Sequence, residues 1–236
     1  MSHAEIASMK RALIVGASRG IGLGLVREHL ARGWHVTVTV RKPSADLEAL
    51  QKEAEGRLSI EAADITRPND VMGLARRLEG QAFDLVFLNA GIMAGRGVPL
   101  VDVADEDIVD IMMTNAISPV RVADRLIGLA RNGATIAFMS SVLGSISTND
   151  DGRAELYRAS KAALNSLVLS FRARHGDRRD LTILAVHPGV VRTSMGGPDA
   201  PLDITQSVTG VADMLEKRAG TGGAAFVNYR NEIIPW

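Results

Sequence analysis

Seven short apolar runs, rich in β-branched residues, recur along the chain: ALIV (12–15), HVTVTV (35–40), LSIEA (58–62), FDLVFLN (83–89), ATIAFM (134–139), LTILAVH (181–187) and AAFV (224–227). Between them, apolar residues return at helical spacing over 20–31, 45–54, 69–78, 105–130, 157–174 and 205–217. Strands that are apolar on both faces need cover on both sides. A parallel sheet sandwiched between helices provides it. The alternation therefore predicts an α/β fold: a single doubly wound, Rossmann-type domain with a seven-stranded, mainly parallel sheet between two helix layers. Right-handed crossovers place every strand's carboxyl end along one edge, and ligands bind in the crevice there.

Composition narrows the classes. The 27 basic and 27 acidic side chains cancel, which argues against nucleic-acid or anionic-membrane partners. No stretch is long and apolar enough for a membrane span. Cysteine is absent, so neither disulfides nor thiolate metal sites are expected, and a cytoplasmic location is the simplest one. His3, His29, His35, His175 and His187 are scattered without ligand spacing, and no metal site is expected. The opening MSHAEIASMK lacks the apolar core of a signal peptide and reads as a flexible end over 1–10, with the domain spanning 11–236.

The unusual residues fall at the predicted strand ends. After ALIV comes GASRGIG, Gly16 to Gly22, opening the first helix. Glycines there permit a tight turn and close approach of a pyrophosphate to the helix N-terminus; a plain strand-to-helix turn is the alternative. The second strand ends in Val40, Arg41 and Lys42, with Arg19 in the glycine turn. A dinucleotide's 2′-hydroxyl calls for a carboxylate here, whereas a 2′-phosphate calls for a guanidinium, so NADP(H) is preferred to NAD(H). Arg41 and Lys42 solvating a loop is the competing reading. Asp64, after the third strand, can accept from an adenine amino group or cap a helix. Asn89-Ala90-Gly91 ends the fourth strand, Ser140-Ser141 the fifth and Pro188-Gly189 the sixth, with Val191 and Thr193 beyond. Asn115 stands inside a predicted helix, where an amide has little local reason to be. Tyr157 and Lys161, four apart on a helix, share a face, and an ammonium beside a phenol favours its ionised form. Asp105-Glu106-Asp107 reads as charge at a helix start, and Met112, Met113 and Met139 as packing.

In this order, the glycine turn, Asn89-Ala90-Gly91, Asn115, Ser141, Tyr157-x-x-x-Lys161 and Pro188-Gly189 resemble the short-chain dehydrogenase/reductase family, from Arg11 to the C-terminus. SSVLGSIS, YRASKAALN and FVNYRNEIIPW are similar to its branch of C-factor signalling proteins and sniffer-type carbonyl reductases. The resemblance implies an NADP(H)-dependent enzyme interconverting a carbonyl and an alcohol on a small apolar substrate. A dinucleotide-binding signalling protein of C-factor type is the alternative.

It further implies Tyr157 as general acid/base, its pKa lowered by Lys161, which also binds the nicotinamide ribose. Ser141 would bond the substrate oxygen and Asn115 hold a water linking Lys161 to solvent. Gly16, Ser18, Arg19, Gly20, Ile21 and Gly22 would cradle the pyrophosphate, Arg41 the 2′-phosphate, Asp64 and Ile65 the adenine. Asn89, Ala90 and Gly91 would flank the adenine ribose, and Pro188, Val191 and Thr193 the carboxamide. Pairing through 105–130 and 157–174 would give a homodimer or homotetramer.

Three departures stand out. Val15 replaces the threonine usual before the first glycine, which removes a turn-stabilising bond. Ser141 precedes Tyr157 by 16 residues where about 13 is usual, leaving Ser145 as a fallback partner. The short stretch after Thr193 leaves no room for a long lid, so an open pocket is expected.

Overall fold

The computed structural model describes residues 9–236; residues 1–8, with His3 and most of the expected flexible end, lie outside the described residues. One sheet holds β1 (Arg11–Val15), β2 (His35–Val40), β3 (Leu58–Ala62), β4 (Phe83–Leu88), β5 (Ala130–Met139), β6 (Thr182–His187) and β7 (Ala224–Asn228). Their order is 3-2-1-4-5-6-7, and all six neighbouring pairs are parallel. The mainly parallel sheet expected is wholly parallel in its ladders. The helices are α1 (Gly20–Ala31), α2 (Ala45–Glu53), α3 (Pro68–Arg77), α4 (Asp105–Met112), α5 (Ser118–Leu126), α6 (Glu155–Arg174) and α7 (Ile204–Arg218).

Side-chain alternation divides the core. Ile14, Val38, Phe87, Met139 and Val186 face one layer with Leu25 of α1, Leu47 of α2 and Val211 of α7. Their neighbours Leu13, Val86, Phe138 and Ile183 face the other with Leu74 of α3, Val122 of α5 and Phe171 of α6. Two apolar faces per strand explain the nearly unbroken apolar runs. The chain leaves β1 toward β2 on one side and returns to β4 on the other, which opens the crevice between β1 and β4.

One expected element is corrected. The predicted helix over 105–130 is α4 and α5 joined by a π-turn, Met113–Ile117, and it ends at Leu126. A short 3-10 turn, Ile127–Leu129, follows, and β5 begins at Ala130, four residues before the ATIAFM run. The apolar spacing runs through Leu126, Ile127 and Leu129 without a break, so periodicity alone overran the boundary. The register of β5 against β4 shifts near Gly133, whose φ of 76° only a glycine adopts easily.

Candidate active site

Backbone bonds build the glycine turn. The Gly16 and Ala17 amides donate to the Thr39 carbonyl at 2.9 and 3.3 Å, and Asn89 and Ala90 both donate to the Val15 carbonyl at 2.9 Å. The Asn89 side chain adds a further bond, its Nδ2 donating to the Gly16 carbonyl at 2.5 Å. These bonds stabilise the turn without the threonine hydroxyl that Val15 lacks. A Cβ on Gly16, at φ 89°, would lie 2.7 Å from the Ala90 backbone; one on Gly22 would lie 2.2 Å from the Gly16 carbonyl. The glycines are sterically required. Ser44, which the sequence reading passed over, caps α2 and donates to the Ser18 carbonyl at 2.7 Å, bracing the turn from the β2 side.

No side chain caps the N-terminus of α1. Gly20 opens toward Thr193, whose methyl would be 3.8 Å from an added Cβ. The segment after β6 therefore comes back to the glycine turn. Pro188 is anchored by the Ser207 hydroxyl, which donates to its carbonyl at 2.7 Å. Val191 pairs with Leu202. Arg19, Arg41 and Lys42 are exposed and make no ion pair among the described residues. Asp64 does not cap α3, where Arg67 holds that position. Its Oδ1 accepts from the Thr66 amide and hydroxyl at 3.0 and 2.7 Å. Burial pushes its pKa up, but the Thr66 bonds and the Arg41 and Arg67 charges outweigh it and hold the group below the usual carboxylate range. Ile65 packs partly buried against the α3 side of the core.

The catalytic candidates converge. Ser141 lies close enough to the Tyr157 phenol to favour its ionised form, and its Oγ accepts from the Leu143 amide at 3.2 Å. Ser145 instead meets Ser147 at 3.3 Å, so the fallback partner is not used. Lys161 is 2% exposed, donates to the Met139 carbonyl at 2.8 Å, and sits 5.7 Å from the Tyr157 ring centre. The expected lowering of the phenol pKa is absent. Burial pushes Tyr157 up to about 12, offset only in part by the nearby Ser141 hydroxyl. Burial also pushes Lys161 down to about 8. Desolvation, invisible in residue spacing, favours the neutral form of both groups.

Asn115 lies in the π-turn and is wholly buried. Its Oδ1 accepts from the Ile92 amide at 2.8 Å. Its Nδ2 donates to the Ile92 carbonyl at 2.9 Å and to the Ser160 hydroxyl at 3.1 Å. The side chain thus holds the segment after β4 against α6, while its Oδ1, which accepts a single bond, keeps a free lone pair on the side of Lys161. A Cβ on Gly91 would lie 3.3 Å from Asn115 Oδ1 and 3.5 Å from Lys161 Nζ, so this glycine keeps space open beside the amine.

Asn165 escaped the sequence reading, which marked Ser140 only as a strand-end residue. Ser140 donates to Asn165 Oδ1 at 2.7 Å, and Asn165 donates to the Gly144 carbonyl at 3.1 Å, fixing the segment that carries Ser141. The signal was available: Tyr157, Lys161 and Asn165 form a polar stripe at every fourth residue of one helix face. A cavity of about 680 Å³ opens elsewhere, between α3 and α5, and meets this constellation only at Ile65.

The crowded glycines, the uncapped α1 N-terminus, the unpaired cations at the end of β2 and the space kept by Gly91 fit a phosphorylated dinucleotide laid across the strand ends. Comparisons agree with that geometry. The family model for short chain dehydrogenase matches residues 10–201. A short-chain dehydrogenase/reductase from Burkholderia multivorans, crystallised with bound NADP, is 44% identical with a TM-score of 0.93, over 97% of this chain and 100% of that one. A carbonyl reductase from Pseudomonas aeruginosa PAO1 in complex with NADP is 39% identical with a TM-score of 0.88, over 97% and 100%. The C-signal of Myxococcus xanthus is 36% identical over 65% of this chain and 92% of its own.

Proposed function

The chain belongs to the short-chain dehydrogenase family of oxidoreductases, and from that premise we propose that it is an NADP(H)-dependent carbonyl reductase. The observation that carries this reading is the convergence of Tyr157 and Ser141 beside buried Lys161, at the strand ends where a dinucleotide fits.

NADPH, when bound, supplies the hydride that reduces the carbonyl carbon. Gly16, Ser18, Arg19, Gly20, Ile21 and Gly22 hold the pyrophosphate, and Arg41, with Lys42 nearby, the 2′-phosphate. Asp64 and Ile65 flank the adenine, Asn89, Ala90 and Gly91 its ribose, and Pro188, Val191 and Thr193 the carboxamide. Lys161, whose ammonium has donors beyond the one on the Met139 carbonyl, would bond the other ribose. Tyr157, neutral at physiological pH, gives its phenolic proton to the oxygen that becomes the alcohol, and Ser141 donates to the same oxygen. Asn115 positions the segment after β4.

An apolar substrate suits the mouth of the site. Val98, Leu100 and Val101 follow β4, Ile146 follows β5 and Val190 follows β6. All five are exposed, Val101 at 89% and Ile146 at 75%. Arg96 joins the first of these segments to the Met195 carbonyl.

The chain acts as a homodimer or homotetramer in the cytoplasm. The outer face of α4 is acidic at Glu106 and Asp110, and that of α5 basic at Arg121 and Arg125, all exposed. An antiparallel second copy would match these charges around exposed Val109. No helix among the described residues is long and apolar enough to cross a membrane.

The test is NADPH oxidation, followed by absorbance, with a panel of aldehydes and ketones. The wild type should turn over apolar carbonyls. Tyr157→Phe should bind NADPH normally and lose turnover by orders of magnitude. Retained turnover would refute the assigned acid, and no turnover with any carbonyl would favour the signalling alternative.

A further inference from the structure

Tyr157 is the third residue of α6, inside the first turn, where amides lack intrahelical acceptors and helices fray. Nothing at that helix start is self-sufficient. The preceding residue, Ala154, is left-handed (φ 57°, ψ 43°), unusual for a residue with a Cβ, and no side chain caps the helix.

Order comes from the next residue instead. Arg158, 7% exposed, reaches back: its Nε donates to the Arg153 carbonyl at 2.8 Å and its Nη2 to Asp151 Oδ1 at 2.7 Å. Asp151 also accepts from the Arg153 amide at 3.0 Å and from the Arg153 guanidinium at 2.9 and 2.8 Å. Asp151 and Arg153 lie in the lengthened stretch between Ser141 and Tyr157. The clamp therefore spans the part of the chain that sets the separation of those two hydroxyls. A second tie reinforces it, since the Leu100 amide donates to Glu155 Oε2 at 3.1 Å. Arg158 Nη1 is buried without an acceptor, so the guanidinium is held by its two loop bonds alone.

We propose that Arg158, locked onto Asp151, is a positioning residue that holds the first turn of α6 so that the Tyr157 phenol stays beside the Ser141 hydroxyl. The proposal rests on the catalytic reading of Tyr157 given above. Arg158 touches no reacting atom; it acts through the helix start. A bidentate, planar guanidinium suits the task, and an ammonium would reach only one of the two acceptors.

The experiment compares wild type with Asp151→Asn, Arg158→Lys and Asp151→Asn/Ala154→Gly. Asp151 is a third exposed on its side chain, so its amide replacement should leave the fold intact. Expected for Asp151→Asn is a 10- to 100-fold fall in kcat for an apolar aldehyde, with KM for NADPH within twofold. Amide hydrogen exchange at 158–161, the first amides of α6 with helical acceptors, should speed up at least tenfold, while exchange in β5 stays unchanged. Arg158→Lys should show a smaller loss of the same kind. Ala154→Gly, which accepts the left-handed conformation freely, should recover several-fold of the lost kcat. Wild-type kcat and exchange in Asp151→Asn would overturn the proposal. So would a lower melting temperature with unchanged kcat, or a parallel rise in KM for NADPH. A wild type inactive on every carbonyl would refute the catalytic reading and this role with it; exchange at 158–161 would then report on the clamp alone.

Discussion

Lys161 Nζ donates to the Met139 carbonyl at 2.8 Å, so the buried amine is tethered to the last residue of β5, two residues before Ser141. This bond and the 5.7 Å separation from the Tyr157 ring hold the cation within reach of the phenol before any ligand arrives.

That burial has a thermodynamic signature. Lys161 falls to about 8 in the folded chain from an ordinary 10.5. Below pH 8 both states hold the proton and the full cost of the buried charge falls on the folded one. Between pH 8 and 10.5 only the unfolded state keeps it, so stability rises with pH across that window, by about 3 kcal/mol in all. Lys161→Met should thus be more stable than wild type at pH 7 by about 1–2 kcal/mol, after loss of one hydrogen bond. The advantage should shrink at pH 10. Urea unfolding at the two pH values checks both statements.

The glycine turn predicts a contrast between two alanine substitutions. Gly22→Ala places a Cβ 2.2 Å from backbone and must shift the turn, so NADPH binding should be lost along with about 1–3 kcal/mol of stability. Gly33→Ala also meets a positive φ, of 80°, but has nothing within 4 Å. It should cost about 1 kcal/mol and leave NADPH affinity unchanged. Fluorescence titration and thermal melts separate the two.

Arg41 should read the extra phosphate. Its replacement by alanine removes one charge-assisted contact, typically worth about 1.5–3 kcal/mol, so NADPH affinity should fall by about 10- to 100-fold while NADH changes little. Equal losses for the two cofactors, measured by the same titration, would dismiss this role.

Asn115→Ala strands the amide and carbonyl of Ile92 in the interior. Each buried group left without a partner costs about 1–3 kcal/mol, so the melting temperature should drop sharply. Asn115→Asp, which keeps the acceptor for the Ile92 amide but loses both donors, should fall between wild type and alanine.

Much of this was readable in the chain because strand ends are marked locally. Gly16, Ser140 and Pro188 each follow an apolar run directly, Asn89 closes one, and the handedness of crossovers gathers those ends on one edge. What spacing could not reveal depends on distant partners or on the surroundings as a whole. The break between α4 and α5 is marked by Pro119, just inside α5, a signal that the apolar spacing overran. Asn115 looked misplaced because its partner, Ile92, lies 23 residues away. The phenol of Tyr157 was expected to be acidified by its neighbour, yet desolvation acts on both groups and wins. Arg158 drew no notice because its ion pair exists only once the loop before it has closed.

The sheet order 3-2-1-4-5-6-7 carries a final implication. Every group assigned to the phosphates, the adenine and the 2′ position, apart from Asn89 to Gly91, lies before residue 66, on the β1–β3 side. The hydroxyl, phenol and amine, and the apolar mouth, all come from β4 onward. On that proposed assignment, coenzyme choice and substrate choice would be written in consecutive, separable lengths of polypeptide. A chimera joined in the exposed turn before β4 could inherit one preference from each parent.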